Sequence, residues 1–359
     1  MYKKIILLML IVVINASGND YEYYFYNPDI DYGSESIFNP ISLFINGSFD
    51  ILRNGAHNKN IFDQPYKTGF NNVIDNVLHP IDNIRNYGVK NFLNREIFNL
   101  EVNKNESQFL PNIGLHLIGN GMQYRKLAEW YDYHEYPNPN LLSIITTISY
   151  QLVNEIVENG SYSGTNVDPI SDMLIFNPLG ILLFSTKAGQ EFFSTKMPIY
   201  DWSMNPYFNP NNYYLENAGQ QYATKIKLKT TDKNALFGYW GVVSTFGISH
   251  TINETDAISF SAGAVVAKLT PNEEYDSRFI IPNLDYAVAI FYDRNNSLLG
   301  SLTLFGPKFY NLRLEIFPGL IGFKNYKPGY FIGIGEMDNF QIGITFPPIP
   351  IGIIGKVTN

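Results

Sequence analysis

The chain has no cysteine, and this absence limits both its chemistry and the ways in which it can be stabilised. None of its 359 residues is Cys. Disulfide bonds, thiolate nucleophiles and cysteine-ligated metals are therefore excluded. We also expect no lipoprotein anchor, because such an anchor requires a cysteine directly after the apolar part of a leader. Stability must come from burial, from backbone pairing or from a membrane.

Charged residues are scarce, and aromatic residues are almost as common. Asp, Glu, Lys and Arg make up 16% of the chain, and Phe, Trp and Tyr make up 15%. This balance is typical of a protein with a large apolar or interfacial surface, although a large buried core would produce it as well. The formal net charge is −8, and no run of five basic residues occurs. Nucleic acid is therefore not an expected partner.

Long hydrophobic runs are also missing. Residues 5–14 form an apolar run of ten, well below the roughly 20 residues that a membrane-spanning helix needs. Lys3 and Lys4 precede this run, and the small residues Ala16, Ser17 and Gly18 follow it. This three-part pattern predicts a secretory signal peptide, so we expect an exported protein.

Helical spacing of apolar residues appears after the first 68 residues. One apolar face runs from Val73 to Ile84, and Pro80 is expected to break that helix after His79. Further helices are predicted over residues 112–131, 141–158 and 168–184, with an interruption at Pro178.

A period of two, typical of strands, replaces the helical period in the last third of the chain. Leu312, Leu314 and Ile316 alternate with Arg313 and Glu315. The same alternation recurs over residues 222–228, 258–268, 297–305 and 340–346. It predicts an α+β protein in which a helical region is followed by a C-terminal antiparallel β-barrel of about eight strands. The predicted organisation is a signal peptide (1–18), a loosely structured segment (19–68), a helical region (69–197), an irregular linker (198–219) and the barrel with a Pro-rich tail (220–359).

The alternation alone does not decide which face of the strands points outward. An outward apolar face predicts an outer-membrane barrel in contact with membrane lipid, with Arg313, Glu315 and Gln341 inside it as candidate binding residues. An inward apolar face predicts a soluble periplasmic carrier of an apolar ligand. Strand lengths of about nine to eleven residues and aromatic residues near the strand ends favour the outer membrane. The tail after Phe346 departs from barrels that close on a terminal aromatic residue.

Several polar residues lie among apolar residues of the helical region. His116 shares a helix face with Asn120, and Glu155 shares one with Asn159. Because buried polar groups are costly unless they are paired, we expect these residues to meet in a buried network. A histidine with carboxylates in a dry pocket can act as a general base or as a metal site. His116, Glu155 and Asp168 are therefore the candidate catalytic residues of an alternative function, a membrane lipid or envelope hydrolase.

A structural role is the simpler interpretation of the same residues. Asp168 before Pro169, followed by Asp172, suits the start of a helix, and His116 can bond a backbone carbonyl. The chain has no His-Glu-x-x-His, no Gly-x-Ser-x-Gly and no phosphate-binding glycine loop. We therefore expect no metal and no cofactor. The leading prediction is a non-catalytic outer-membrane or cell-envelope protein with a structural or binding role.

Between residues 77 and 180 the chain resembles a group of uncharacterised exported bacterial proteins that share a domain of unknown function. The similar segments are Leu78-His79-Pro80, His116–Tyr124, Tyr150 with Glu155, and Asp168–Gly180. The chain departs from the group at residues 150–155, where the group has an aromatic-flanked Glu. The resemblance implies a cell-envelope location and no known activity. It implies that the shared framework positions are His116, Glu155, Asp172 and Gly180.

Overall fold

The computed structural model describes most of the chain and divides it into two compact units. The described residues are 22–54, 58–98, 112–161, 166–229, 233–272, 276–305, 311–322, 326–335 and 340–356. The first unit comprises the described residues of Met1–Pro28 together with Thr68–Lys196, and the second comprises those of Asp29–Lys67 and Met197–Asn359. The predicted signal peptide lies outside the described residues.

Helices dominate the first half of the chain and strands the second, as predicted for an α+β protein. In chain order the α-helices are α1 (Gly33–Ser36), α2 (Pro40–Phe49), α3 (Tyr66–Leu78), α4 (Pro80–Tyr87), α5 (Val89–Phe92), α6 (Asn120–Tyr133), α7 (Pro139–Glu158), α8 (Asp168–Ser171), α9 (Asn177–Ser185) and α10 (Lys187–Glu191). Short 3₁₀ turns cover Asp50–Asn54 and Asn159–Ser161. The predicted break at Pro80 is confirmed, since α3 ends and α4 begins on either side of His79.

Wide π-type turns interrupt the helical unit repeatedly. They cover Leu93–Ile97, Asn112–Gly119, Asp172–Phe176 and Phe192–Lys196. Each extra residue in such a turn rotates the side chains that follow, and these turns are often found at functional sites.

The length and apolar composition of the helices bear on whether they can cross a membrane. Among the described residues, no single helix is long and apolar enough to cross a membrane. The pair Asp168–Ser185 and Lys187–Lys196 meets the length and composition criteria jointly and is bent by 88°.

All the long strands belong to one sheet. The strands are β1 (Ile199–Asp201), β2 (Tyr207–Asn209), β3 (Tyr214–Glu216), β4 (Gln221–Lys227), β5 (Asn234–Gly241), β6 (Val243–Thr251), β7 (Asp256–Asn272), β8 (Asp276–Arg294), β9 (Ser297–Phe305), β10 (Leu312–Ile316), β11 (Gly329–Ile334), β12 (Phe340–Thr345) and β13 (Gly352–Lys356). Their order is β1-β4-β5-β6-β7-β8-β9-β10-β11-β12-β13-β2-β3. Neighbouring strands are antiparallel except β13 and β2, which are parallel.

The predicted eight-stranded barrel is wrong. The sheet has thirteen strands, and it is not closed because β1 and β3 remain its two ends. Three of the added strands, β1 to β3, are three residues each and lie in the segment predicted as an irregular linker. Strands this short show no period of two, so alternation did not reveal them. β13 likewise follows the prolines at residues 347–350 that had suggested a tail.

The sheet curls strongly although it does not close. β1 and β2 are eleven positions apart in the sheet order, which would separate them by about 53 Å in a flat sheet with strands roughly 4.8 Å apart. Only residues 202–206 connect these two strands, and that connection spans at most about 22 Å. Curling is the only way in which this short connection can join both ends.

The outward face of the sheet carries a continuous row of apolar side chains. One row crosses nine adjacent strands through paired residues and contains only apolar side chains. In this outward row, Ile248 is 53% exposed, Phe260 52% and Ile342 43%. The outward row consists of Ile226, Leu236, Ile248, Phe260, Ile290, Leu302, Leu314, Ile332 and Ile342.

The neighbouring row on the same nine strands points inward and holds small and polar residues together with the aromatic Phe237. It contains the buried charged residue Arg313, 6% exposed, and the buried amide Gln341, 4% exposed. The outward face is thus apolar, while the inward face combines polar side chains with a buried aromatic cluster that includes Phe237 and Phe291. The inward row consists of Lys225, Phe237, Gly247, Ser261, Ala289, Thr303, Arg313, Gly333 and Gln341.

The connection between β1 and β2 fills part of the curled interior. Trp202 is fully buried, with ring centroids 5.6 Å from Phe237 and 5.7 Å from Phe291. Its indole Nε1 donates to the carbonyl oxygen of Asn296 at 2.7 Å. The turn at Asn295 and Asn296, between β8 and β9, has φ values of 50° and 62°, which are typical of a two-residue β-hairpin turn.

A buried ion pair attaches the first described residues to the helical unit. Glu129 on α6 accepts from Arg125 Nε at 2.8 Å, and the pair is buried. The same carboxylate accepts the backbone N–H groups of Tyr24, Phe25 and Tyr26 at 2.8–3.0 Å. The N-terminal segment is therefore fixed by one carboxylate.

We expect Glu129→Ala to destabilise the helical unit by about 3–5 kcal/mol, because it leaves the guanidinium of Arg125 buried without its carboxylate. The matched control is Glu191→Ala, whose exposed partner Lys187 also lies four residues away, at 3.9 Å. That change should cost at most about 1 kcal/mol. Urea unfolding followed by circular dichroism at 222 nm compares the two. Equal losses would contradict the role given to Glu129.

Candidate functional site

The helical unit brings His116, Glu155 and Asp172 together from three separate elements. His116 lies in the π-type turn Asn112–Gly119, Glu155 in α7 and Asp172 in the π-type turn Asp172–Phe176. His116 Nε2 lies 3.3 Å from Asp172 Oδ2. One nitrogen or carboxylate oxygen from each of the three residues lies within 4.8 Å of the other two.

These three side chains are shielded from solvent. The side chains of His116 and Asp172 are 14% and 3% exposed, and Glu155 is fully buried. Burial lowers the pKa of His116 to about 4, so its imidazole is neutral at neutral pH and keeps a lone pair. Burial, followed by the charges of Asp168, Glu155, Glu96 and Glu158, raises the pKa of Asp172 well above its usual value.

Asp168 belongs to the same buried region but not to the three-residue cluster. Burial raises its pKa to about 6. Burial and then the charge of Asp168 raise the pKa of Glu96 well above its usual value. Among the described residues, no amide or hydroxyl group donates to Asp168 Oδ1 or Glu96 Oε2. Of the residues named from the sequence, His116 and Glu155 are thus brought together, while the third cluster member is Asp172 rather than Asp168.

Glu96 was missed by sequence reasoning altogether. It lies in the π-type turn Leu93–Ile97, about 20 residues before His116, where no periodicity connects the two. The sequence did contain a signal for Asp172, because this residue follows Asp168 by one helical turn.

The predicted buried polar network surrounds the cluster. On one side, Asn159 Nδ2 donates to Glu155 Oε2 at 3.3 Å, and Asn166 Nδ2 donates to Asn159 Oδ1 at 2.8 Å. The backbone N–H of Asp168 donates to Asn166 Oδ1 at 3.1 Å. On the other side, Asn120 Oδ1 accepts from the Tyr150 hydroxyl and from Gln151 Nε2, and Asn120 Nδ2 donates to Asn177 Oδ1. These amides fix the elements that carry the acids.

Two kinds of chemistry suit this arrangement. Closely spaced buried carboxyls can share protons, or they can bind a cation together with a neutral imidazole. Asp75 and His79, at 3.1 Å, form a similar pair that is exposed to water and lies outside the cluster.

In the strand unit, the three candidate binding residues all point inward. Glu315 Oε1 accepts the backbone N–H of Asn205 at 2.7 Å and Asn217 Nδ2 at 2.9 Å. Arg313 Nη2 lies 3.4 Å from Met204 Sδ. Its guanidinium also lies over two aromatic rings, those of Phe331 and Phe305, at 5.6 and 5.9 Å.

Gln341 lies two strands from Arg313 in the same inward row, with Gly333 between them. Through their contacts with Met204 and Asn205, Arg313 and Glu315 hold the connection between β1 and β2 in place. A ligand for these three residues stays a prediction.

Comparison with known proteins adds no assignment. No family model, no curated protein and no solved structure matches the chain. The resemblance to uncharacterised exported proteins therefore stays a prediction, and function has to be argued from the geometry described above.

With a chelator present, we expect Asp168→Asn to stabilise the helical unit increasingly as the pH rises. The pKa of Asp168 is raised from 3.8 in the unfolded chain to about 6. A raised acid contributes stability below its unfolded pKa and loses that contribution as the pH rises through the folded value. The difference in Tm between Asp168→Asn and the unchanged protein should be small at pH 4 and should grow up to pH 7.

Thermal unfolding followed at 222 nm gives the Tm of the variant and of the unchanged protein at each pH. A difference for Asp168→Asn that is constant with pH, or that shrinks as the pH rises, would show that Asp168 is not a raised acid.

Proposed function

We propose that this protein is a non-catalytic cell-envelope membrane protein whose strand unit contacts lipid acyl chains through its outward row. The observation that carries the proposal is the nine-strand outward row without a single polar side chain, next to an inward row that contains Lys225, Arg313 and Gln341. The expected location is the outer membrane of a double-membrane bacterium. The expected role is structural or binding.

The energetics of the two rows support contact with lipid. Complete burial of a Val, Leu, Ile or Phe side chain is worth about 1.5–3 kcal/mol. Large exposed apolar patches on proteins mark contacts with proteins or membranes. The outward row is such a patch, and further exposed apolar residues flank it: Phe246, Tyr286, Val288, Leu304, Ile334, Ile344 and Ile353. Acyl chains would remove this surface from water.

The interior supports the same orientation, because its charged groups have partners. Lys225 Nζ lies 2.6 Å from Asp293 Oδ2 in a buried ion pair. Glu315 accepts the two hydrogen bonds described above. The interior also contains the packed aromatic rings of Trp202, Phe237 and Phe291, which occupy space that a soluble carrier would need for an apolar ligand.

Backbone groups at a sheet edge are costly in lipid, and one edge of this sheet is covered. The backbone N–H of Leu215, in the edge strand β3, donates to the carbonyl oxygen of Lys59 at 3.0 Å. Ile61 N–H donates to the carbonyl oxygen of Tyr213 at 3.3 Å. Both edge strands are three residues long.

Single-cysteine labelling tests the lipid contact directly, because the chain has no cysteine of its own. We expect a fluorophore on Ile248→Cys or Ile290→Cys to be quenched by bromine-labelled acyl chains after reconstitution into phosphatidylcholine vesicles. The same fluorophore on Glu254→Cys, in the exposed loop between β6 and β7, is the control and should not be quenched. Equal quenching at the three positions, or a protein that stays soluble without detergent, would contradict the proposal.

A charge placed on the outward row separates lipid contact from water contact. In lipid, Ile248→Lys should destabilise the protein by about 2–4 kcal/mol and lower its recovery in the membrane fraction. In water, a lysine at a position that is 53% exposed should be nearly neutral. Glu254→Lys is the matched control and should leave membrane recovery unchanged. Unchanged recovery of Ile248→Lys would argue against lipid at this face.

A further inference from the structure

We propose that His116, Glu155 and Asp172 bind a divalent transition-metal cation inside the helical unit. The proposal is independent of the lipid contact, since it concerns other residues in the other unit. It rests on the ligand geometry and on the acidic surroundings of the three residues.

The geometry suits metal coordination. One nitrogen and two carboxylate oxygens within 4.8 Å of each other can approach one cation at bond lengths of about 2.0–2.2 Å. The three residues come from separate elements, so folding assembles the site, as is usual for structural metals. His116 and Asp172, and also the nearby Glu96, lie in π-type turns.

The charge of the surroundings calls for a cation. Buried carboxylates are normally paired with cations, hydrogen-bonded or bound to metals. The charged groups with the largest effects on Asp172 are Asp168, Glu155, Glu96 and Glu158, and all four are acidic. A divalent cation would neutralise two of these negative charges.

Asp168 adds a further acid to the same buried region without being one of the three ligands. It is 8% exposed and forms a hydrogen-bonded carboxyl pair with Glu96. Its charge acts on Asp172. A cation bound by Asp172 would be stabilised by this neighbouring acid without contacting it.

The donor set indicates the class of metal. Imidazole nitrogen suits Zn²⁺, Fe²⁺ and related cations, while carboxylates also suit Mn²⁺. Mg²⁺ and Ca²⁺ prefer oxygen ligands alone. We therefore expect first-row transition metals to bind more tightly than Mg²⁺ or Ca²⁺.

The test is calorimetric titration of the chelator-treated full-length protein with Mn²⁺ and with Co²⁺. The expected result is one cation per chain, with affinity at least about tenfold lower in His116→Gln and in Asp172→Asn. The matched control is His79→Gln, which alters the exposed His79–Asp75 pair and should leave the affinity unchanged. No binding to the folded protein would overturn the proposal, as would binding that His116→Gln and Asp172→Asn do not weaken.

A second measurement keeps the test decisive if a ligand variant does not fold. Pulsed electron paramagnetic resonance of Mn²⁺ bound to the unchanged protein should show coupling to one imidazole nitrogen, retained in His79→Gln. Coupling that disappears in His79→Gln, or a spectrum without nitrogen coupling, would overturn the assignment. Mn²⁺ should also raise the Tm of the unchanged protein at 222 nm, since a ligand that binds only the folded state stabilises it.

Discussion

The fold of the strand unit depends on how its inward polar side chains are satisfied. Once aliphatic residues occupy the outward row, the period of two forces the residues between them inside. Glu315 is one of these inward residues, and its carboxylate accepts hydrogen bonds from the backbone N–H of Asn205 and the side-chain amide of Asn217. Those two donors belong to the segment that runs from β1 through β3. The carboxylate of Glu315 therefore needs the donors of this segment, and the segment needs the carboxylate to hold it in the interior.

The segment that Glu315 holds in the interior also explains why the sheet curls without closing. The segment at residues 202–206 crosses the interior between β1 and β2, and Trp202 packs on Phe237 and Phe291 along the way. β2 then pairs with β13 in parallel through Gly352 and Ile353. The segment at residues 202–206 holds the two ends of the sheet close together. The hydrogen-bonded ladder itself ends at β1 and β3.

Sequence reasoning succeeded where a physical period was long enough to read and failed where geometry was set by distant residues. The alternation of β10 and β12 predicted strands whose Arg313, Glu315 and Gln341 share one face. The three-residue strands β1 to β3 carry no such period, and closure depends on whether β1 meets β3, which no local pattern encodes. In the helical unit, i and i+4 spacing identified His116 and Glu155. The spacing did not show that the structure places the carboxylate of Asp172, rather than that of Asp168, next to His116.

The same rule for buried charge distinguishes the acids of this protein from one another. Glu129 has the guanidinium of Arg125 and three backbone N–H groups, and Glu315 has two amide donors. Asp172 instead has acidic neighbours and the neutral imidazole of His116. A protonated Asp172 would donate to the imidazole Nε2, which lies 3.3 Å away, and that bond would join only two of the three residues. A cation would bind the imidazole nitrogen and the carboxylates of Glu155 and Asp172 together, which is the arrangement proposed for this site.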